Sequence, residues 1–504
     1  MNIAENVRTT LYMLLMSIIV FCGVSYWRRR RTFYFYASKF NGPASLPLIG
    51  SALYLTGGNE RIISNIVFLM KKYKSPWKFW VGRSLYIVLT KPEDIEIVFN
   101  QALEKPRAYK LTEPVLKEGL FTGPVAKWRR HRKVILKTFN LNILNGFVEI
   151  FSEHSQILLE RLRNFEKNGH FDAFPVITEA TLDITCETAM GIRASTESKN
   201  LKFLQNFARG MDLIVWRVFH FWLHPDAIWR LTSYSKELNE ISKNIQKFVG
   251  DIIGEKKQQY LQTKHIAQDD NYSSDHQIRR KCFLDHLIQL TEGGESWSDE
   301  EIMEEAQTMI AAGSESMGTV ISFALIMIGM HPSVQNKVYE EVFHILGEDD
   351  RSVTAEDLLR MVYLEQVIKE TLRLFPVAAV IGRFMDKNID IGSHTIPEGC
   401  DCLVSILHLH RNPEIWEEPL KFKPERFTPE EMAKRHPYSY LPFSGGPRNC
   451  IGFKYATMAV KTVVSTVVKD YRISTDFESV EDIEFIPSAV LKAKGEYRIA
   501  IERR

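Results

Sequence analysis

Cysteine is scarce in this sequence. The six, Cys22, Cys186, Cys282, Cys400, Cys402 and Cys450, are scattered irregularly along 504 residues. That pattern excludes a disulfide scaffold and fits a reduced, cytosol-facing chain. An excess of charge of one sign is also missing. Lys and Arg number 64 against 62 Asp and Glu, a net charge of +2, which argues against nucleic acid as the main partner. No repeat, long charge block or Gly/Ser linker divides the chain after residue 51. One large catalytic domain, 52–504, is therefore expected rather than several.

The one long stretch without charge runs from Thr9 to Trp27, "TTLYMLLMSIIVFCGVSYW". It has about the length of a bilayer-crossing helix, roughly 20 residues. "RRRR" follows at Arg28–Arg31, while Arg8 on the other side is balanced by Glu5. Positive charge stays cytosolic, so the bulk of the chain is expected on that face. A cleaved signal peptide is disfavoured: no small-residue cleavage site precedes the arginines, and the basic cluster lies on the wrong side. Residues 1–31 thus read as an anchor with a basic stop. Residues 32–51, ending in "NGPASLPLIGS", read as a proline-rich hinge.

Most of the remainder has helical spacing, with β-like runs at "SLYIVLT" and "CLVSILH". The fold class is mainly α with small sheets. The polar stretch "QTKHIAQDDNYSSDHQIRRK" reads as a surface loop. One helix stands out, from a capping box at Ser298 and Glu301 to His331-Pro332. Its second half is apolar nearly all round, so it should run through the core. The trio Ser314, Glu315 and Ser316 interrupts it, preceded by the small residues Ala311, Ala312 and Gly313.

"PFSGGPRNCIGFKYATMAVK" puts Cys450 behind Gly445, Gly446 and Pro447 and just ahead of a helix. The glycines allow a tight turn, Gly452 allows close approach from behind, and a helix N-terminus favours a thiolate. A lone cysteine is more often a buried, inert one. A rival metal site, Cys400, Cys402, His408 and His410, fails on geometry, because the apolar run Leu403–Leu407 holds the two pairs apart.

Phe443, Gly446, Arg448, Cys450 and Gly452 form the pattern FxxGxRxCxG. This resembles the haem-ligand loop of the cytochrome P-450 family. Glu370 and Arg373 in "KETLRLFP", Arg426 in "FKPERF", Trp128 and Arg132 in "KWRRHRK", and "AGSES" in the long helix follow in the family's order. The resemblance covers nearly the whole chain. "TLDITCETAMG" and the C-terminal half look closest to the animal family-four branch.

The resemblance implies a cytochrome P-450 fold with an N-terminal membrane helix, and haem b held by Cys450 as axial thiolate. It implies Trp128, Arg132, Arg383 and Arg448 at the haem propionates. Glu370, Arg373 and Arg426 become a structural triad, and Glu315 with Ser316 a proton relay beside an oxygen pocket. The family usually has threonine where Ser316 stands. Many family-four members bind haem covalently through a glutamate where this chain has Ala312, so no such ester is expected here. The implied function is a membrane-anchored monooxygenase on the cytosolic face of the endoplasmic reticulum. It would insert one oxygen atom from O2 into a fatty acid, terpenoid or xenobiotic. Its electrons would come from an NADPH-dependent cytochrome P-450 reductase, with cytochrome b5 a second candidate donor, and the basic face near Arg129 is a docking candidate. The alternatives are a haem-thiolate isomerase or dehydratase acting on peroxides, and a haem- or lipid-binding protein without turnover. Substrate choice is expected to lie in the loop "KPRAYKLTEPVLKEGLFTG" and in the Trp- and Phe-rich region around Phe221 and Trp222.

Overall fold

A computed structural model of the chain describes residues 3–192, 197–266, 282–292, 297–348 and 351–504. The uncharged N-terminal stretch is helical, within a helix Ile3–Ser38 whose segment Arg8–Ser25 is apolar enough to span a bilayer and is not buried. The helix does not stop at the arginines. Nothing between Arg28 and Ser38 breaks it; Gly42 and Pro43 come later. The irregular connector therefore begins only after Ser38. The far end of this helix and the residues just after it dock on the domain: Ala37 and Phe40 are buried, and the Phe33 ring meets Trp80 edge-on at 5.9 Å.

The second helix of sufficient length and apolarity, Asp299–Met330, is 83% buried and belongs to the core. Its start follows the sequence. Ser298 Oγ accepts from the Glu301 N–H at 3.2 Å, and Glu301 Oε2 accepts from the Ser298 N–H at 3.0 Å. It ends at His331, and Pro332 opens the next helix. Helices Leu141–Leu162, Phe174–Thr185 and Phe453–Asp470 share its hydrophobic cluster.

A four-stranded sheet carries the β content near the site. Its order is Trp77–Val81, Ser84–Leu89, Asp401–Ser405, Val380–Phe384, with the middle pair parallel and the outer pairs antiparallel. The second β-like run is thus a strand only to Ser405. There the Ser405 hydroxyl caps the short helix Ile406–His410. The expected polar surface loop overlaps the helix Ser233–Ile266 at its start; 267–281 lie outside the described residues.

Gly313 lies against a neighbouring helix. A Cβ there would meet Thr185 Cγ2 at 2.7 Å and Oγ1 at 2.9 Å. The glycine lets the central helix press on Phe174–Thr185 and does not enlarge an oxygen pocket. Thr185 cannot turn away freely, because its hydroxyl donates to the Thr181 carbonyl at 2.7 Å. Gly313→Ala should therefore destabilise the protein by about 1–3 kcal/mol through overpacking, against the ~1 kcal/mol that helix propensity alone would add in its favour. Adding Thr185→Ala should return most of the loss. Urea unfolding of both variants checks this; additive losses would show that the two side chains do not collide.

Candidate active site around Cys450

The cysteine loop is shaped by its own backbone. Gly446 takes φ +68°, and a Cβ there would lie 2.5 Å from the Phe99 carbonyl oxygen. Cys450 N–H donates to the Phe443 carbonyl at 2.9 Å, and the helix Phe453–Asp470 begins three residues on. Gly452 is not needed for close approach: only the Phe139 ring comes near, at 3.7 Å.

Cys450 is exposed, yet protein encloses it closely enough to raise its thiol pKa. Both hold for a sulfur on the wall of an interior space. Ala312 is likewise exposed in the middle of the buried central helix, between Ala311 and Ser314, which are buried. Burial outweighs the Gly452 backbone hydrogen bond and the Arg132 and Lys105 charges that favour the thiolate. The Gly452 N–H at the helix terminus favours the thiolate, as expected, and burial outweighs it.

Four cations crowd the same space. Trp128 and Arg132 lie one turn apart on the helix Val125–Ile135. Arg132 donates to the Asn449 carbonyl at 2.8 Å and to Asn449 Oδ1 at 2.6 Å, tying that helix to the cysteine loop. Arg448 donates to the carbonyls of Leu103 and Gly123, with its guanidinium 5.0 Å from the Trp128 ring centroid. Arg383, from Val380–Phe384, lies 4.4 Å over the Phe99 ring. The buried Nε atoms of Arg383 and Arg448 have no protein partner. The fourth cation, Lys105, was missed by sequence reasoning. Burial, then Arg383 and Arg448, hold its pKa well below the usual lysine value. Burial and its cationic neighbours press Arg448 down to about 10 as well. Such a set calls for an anion in a dry interior.

On the central helix, Ser316 Oγ donates to the Ala312 carbonyl at 2.5 Å. Glu315 is buried and pairs with Lys492 Nζ at 2.6 Å. Lys492 comes from the strand Lys492–Ala493, far along the chain, so no local motif announced it. Arg129 and Lys133 are exposed, as their solvated basic face requires. Arg130, also exposed, pairs with Glu301.

Behind the cysteine loop lies the charged triad. Arg373 Nε meets Glu370 Oε2 at 2.7 Å, and Arg426 Nε donates to Glu370 Oε1 at 3.3 Å. Glu370 and Arg373 are fully buried. Arg373 also donates to the carbonyls of His410, Pro419 and Lys421. Removing one partner from such a network costs about 3–5 kcal/mol. His410 links the triad to the cysteine loop, because its Nε2 accepts from the Leu441 N–H at 2.8 Å. Cys400 and Cys402 are buried on the strand side. Among the described residues, no group of three His, Cys, Asp or Glu has metal-binding geometry.

The sequence profile of the cytochrome P450 family matches residues 40–500. The chain belongs to the cytochrome P450 family. It is 33% identical to cytochrome P450 4c3 of Drosophila melanogaster over 504 residues, covering 97% of this chain and 94% of that protein. It is 35% identical to cytochrome P450 4c21 of Blattella germanica, covering 91% of each. Cytochrome P450 4V2 of Homo sapiens is 33% identical, covering 91% of this chain and 88% of that protein. These relatives bear out the animal family-four resemblance. This cytochrome P450 is a haem monooxygenase, and the family holds its iron through a cysteine thiolate. The residues present fit that group. A thiol lines an interior space, four cations crowd it, and two buried guanidinium nitrogens lack protein partners.

His410 makes stability pH-dependent. Burial, aided by the Arg373 charge, lowers its pKa to about 3, against about 6.5 in an unfolded chain. Between these values the unfolded state binds a proton that the folded state does not. Its contribution is complete above about pH 6.5 and falls by about 1.4 kcal/mol per pH unit on acidification towards 3. His410→Gln keeps an acceptor for Leu441 without titrating. Urea midpoints from pH 7 down to 5 should fall less steeply in the variant; identical slopes would show that His410 is not the group.

Proposed function

We propose that Cys450 is the thiolate that holds the haem iron. The further reading is a membrane-anchored monooxygenase, inserting one atom of O2 into a lipophilic substrate with electrons from an NADPH-dependent reductase. The observation that carries this is the convergence of Lys105, Arg132, Arg383 and Arg448 on the space that Cys450 lines. Bound haem supplies oxygen activation, which an electron-donating thiolate favours. Iron would also reverse the pKa balance at the sulfur, since a coordinating thiol is deprotonated outright.

The remaining work falls to the chain. Arg383 and Arg448 have open Nε donors for propionate oxygens, and Trp128 stacks beneath the Arg448 guanidinium. Arg132 fixes the loop that carries Cys450 through Asn449. Lys105 adds a fifth contact to the four expected from sequence. Glu315 and Ser316 are the proton relay in this reading: Glu315 carries a proton at its carboxylate oxygens and Ser316 at Oγ. The Lys492 ammonium holds Glu315 between transfers. Ala312 offers no carboxylate for an ester to haem.

The anchor helix supports a membrane location, and we assign it to the endoplasmic reticulum with the domain on the cytosolic face. The basic helix face at Arg129 and Lys133 suits a reductase, and cytochrome b5 as a second donor. Around the Phe221–Leu223 turn, Trp222, Ile228, Leu231 and Tyr234 are exposed. This supports entry of a fatty acid, terpenoid or foreign compound from the lipid side. A peroxide isomerase or dehydratase would not need the Glu315–Ser316 pair, which favours the monooxygenase.

The reduced carbon monoxide complex should show the Soret peak diagnostic of sulfur ligation, and Cys450→Ala should abolish it. A peak that survives the exchange would refute the assignment. Glu315→Gln should keep the peak and lower reductase-driven turnover by about 100-fold. Undiminished turnover would remove Glu315 from the relay.

A further inference from the structure

Glu305 is a fully buried carboxylate on the central helix that the site described above does not use. Its two oxygens face two different segments. Oε2 accepts from the Leu120 N–H at 3.1 Å, and Oε1 lies 2.6 Å from His131 Nδ1. His131 is buried on the helix Val125–Ile135, between Trp128 and Arg132 in register. Its ring stacks on Trp297 at 4.2 Å, and its Nε2 lies 3.2 Å from Glu301 Oε1 and 3.2 Å from the Arg130 guanidinium. Stacked on one face and held at both nitrogens, the ring has one orientation. An ionised carboxylate only accepts, so His131 Nδ1–H donates to Glu305. We infer that Glu305, aimed by His131, latches the segment around Leu120 onto the central helix and so fixes one wall of the substrate space. The two are positioning residues for substrate selection, and this rests on the haem monooxygenase reading.

The segment lies against the helix along its whole approach. A Cβ on Gly119 would collide with the Thr308 hydroxyl and lie 2.8 Å from the Glu304 carbonyl oxygen. Gln307 Nε2 donates to the Val115 carbonyl. Gly119 and Leu120 are buried, yet the next residue, Phe121, is exposed. Lys105 Nζ lies 4.7 Å over the Phe121 ring, and the same lysine is one of the four cations around the space that Cys450 lines. Phe121 therefore borders that space, and its position follows from the Leu120 N–H beside it. A carboxylate buried this deeply is tolerated only when its oxygens are hydrogen-bonded. Here one oxygen serves the segment and the other the helix that carries Arg132, so a single group sets the distance between them.

The test uses the haem-loaded full chain in detergent. Hydrogen exchange of the peptide carrying Leu120, read by mass spectrometry, reports the latch directly. Soret shifts on titration with imidazole and with 1-dodecylimidazole report the space: the first fills little of it, and the second carries a long chain against its wall. The double variant His131→Phe/Glu305→Leu removes the latch without stranding a buried charge. It should keep the reduced carbon monoxide spectrum and bind imidazole as the unmodified protein does. Its Leu120 peptide should exchange about tenfold faster, and its affinity for 1-dodecylimidazole should fall by about tenfold, as expected for one hydrogen bond to a charged acceptor. His131→Asn, whose Nδ2 can take the place of Nδ1, should restore both the protection and the affinity. Unchanged exchange in the double variant overturns the latch. Faster exchange with unchanged affinity for 1-dodecylimidazole overturns its role in substrate selection, and so does equal weakening of both ligands. A His131→Asn protein as impaired as the double variant removes His131 from the latch. If the unmodified protein gives no Soret shift with either ligand, the haem reading fails and takes the substrate role with it, which the exchange measurement distinguishes from failure of the latch.

Discussion

Arg373 is the interaction on which the site depends. One buried guanidinium holds Glu370 through two nitrogens and reaches three backbone carbonyls, those of His410, Pro419 and Lys421. A charge removed from water is tolerated only when every donor has an acceptor. That requirement draws together the helix Val362–Leu374, the end of the short helix Ile406–His410 and the segment carrying Arg426. Through His410 and the Leu441 N–H it also fixes where the cysteine loop starts.

The space beside Cys450 is organised on the opposite principle. The triad's guanidiniums and carboxylate are hydrogen-bonded to one another and to backbone carbonyls, whereas burial and then cationic neighbours lower the basicity of Lys105 and Arg448, and Arg383 and Arg448 leave buried Nε donors without protein acceptors. In the proposed reading, haem propionates would supply the acceptors that the open Arg383 and Arg448 donors lack. The fold thus keeps its satisfied network behind the sulfur and its unsatisfied one in front. Binding the cofactor therefore also contributes to the stability of the holoprotein.

The central helix joins the two halves of the site. Its glycine side packs on Phe174–Thr185, its exposed Ala312 faces interior space, and Glu315 is held by a lysine from the C-terminal hairpin. A single helix can do all three because residues at successive positions point about 100° apart. The trio Ser314, Glu315 and Ser316 accordingly divides its work. Ser314 Oγ donates to the Ile310 carbonyl, Ser316 Oγ to the Ala312 carbonyl, and Glu315 pairs away from the helix.

The sequence by itself determined what is local or strongly patterned. The capping box at Ser298, the ends of the central helix, the apolar N-terminal helix, the i,i+3 pairing of Glu370 with Arg373 and the turn before Cys450 follow from spacing and backbone chemistry. Tertiary structure alone decided what depends on distant partners. Lys105 enters the site, Lys492 holds Glu315, and Gly313 meets Thr185 rather than an open pocket. The N-terminal helix runs on to Ser38, and burial overrides the helix terminus at the Cys450 thiol. In each case the deciding energy is desolvation or steric contact with residues remote in sequence. Such terms have no periodicity along the chain and exist only once the chain has closed on itself.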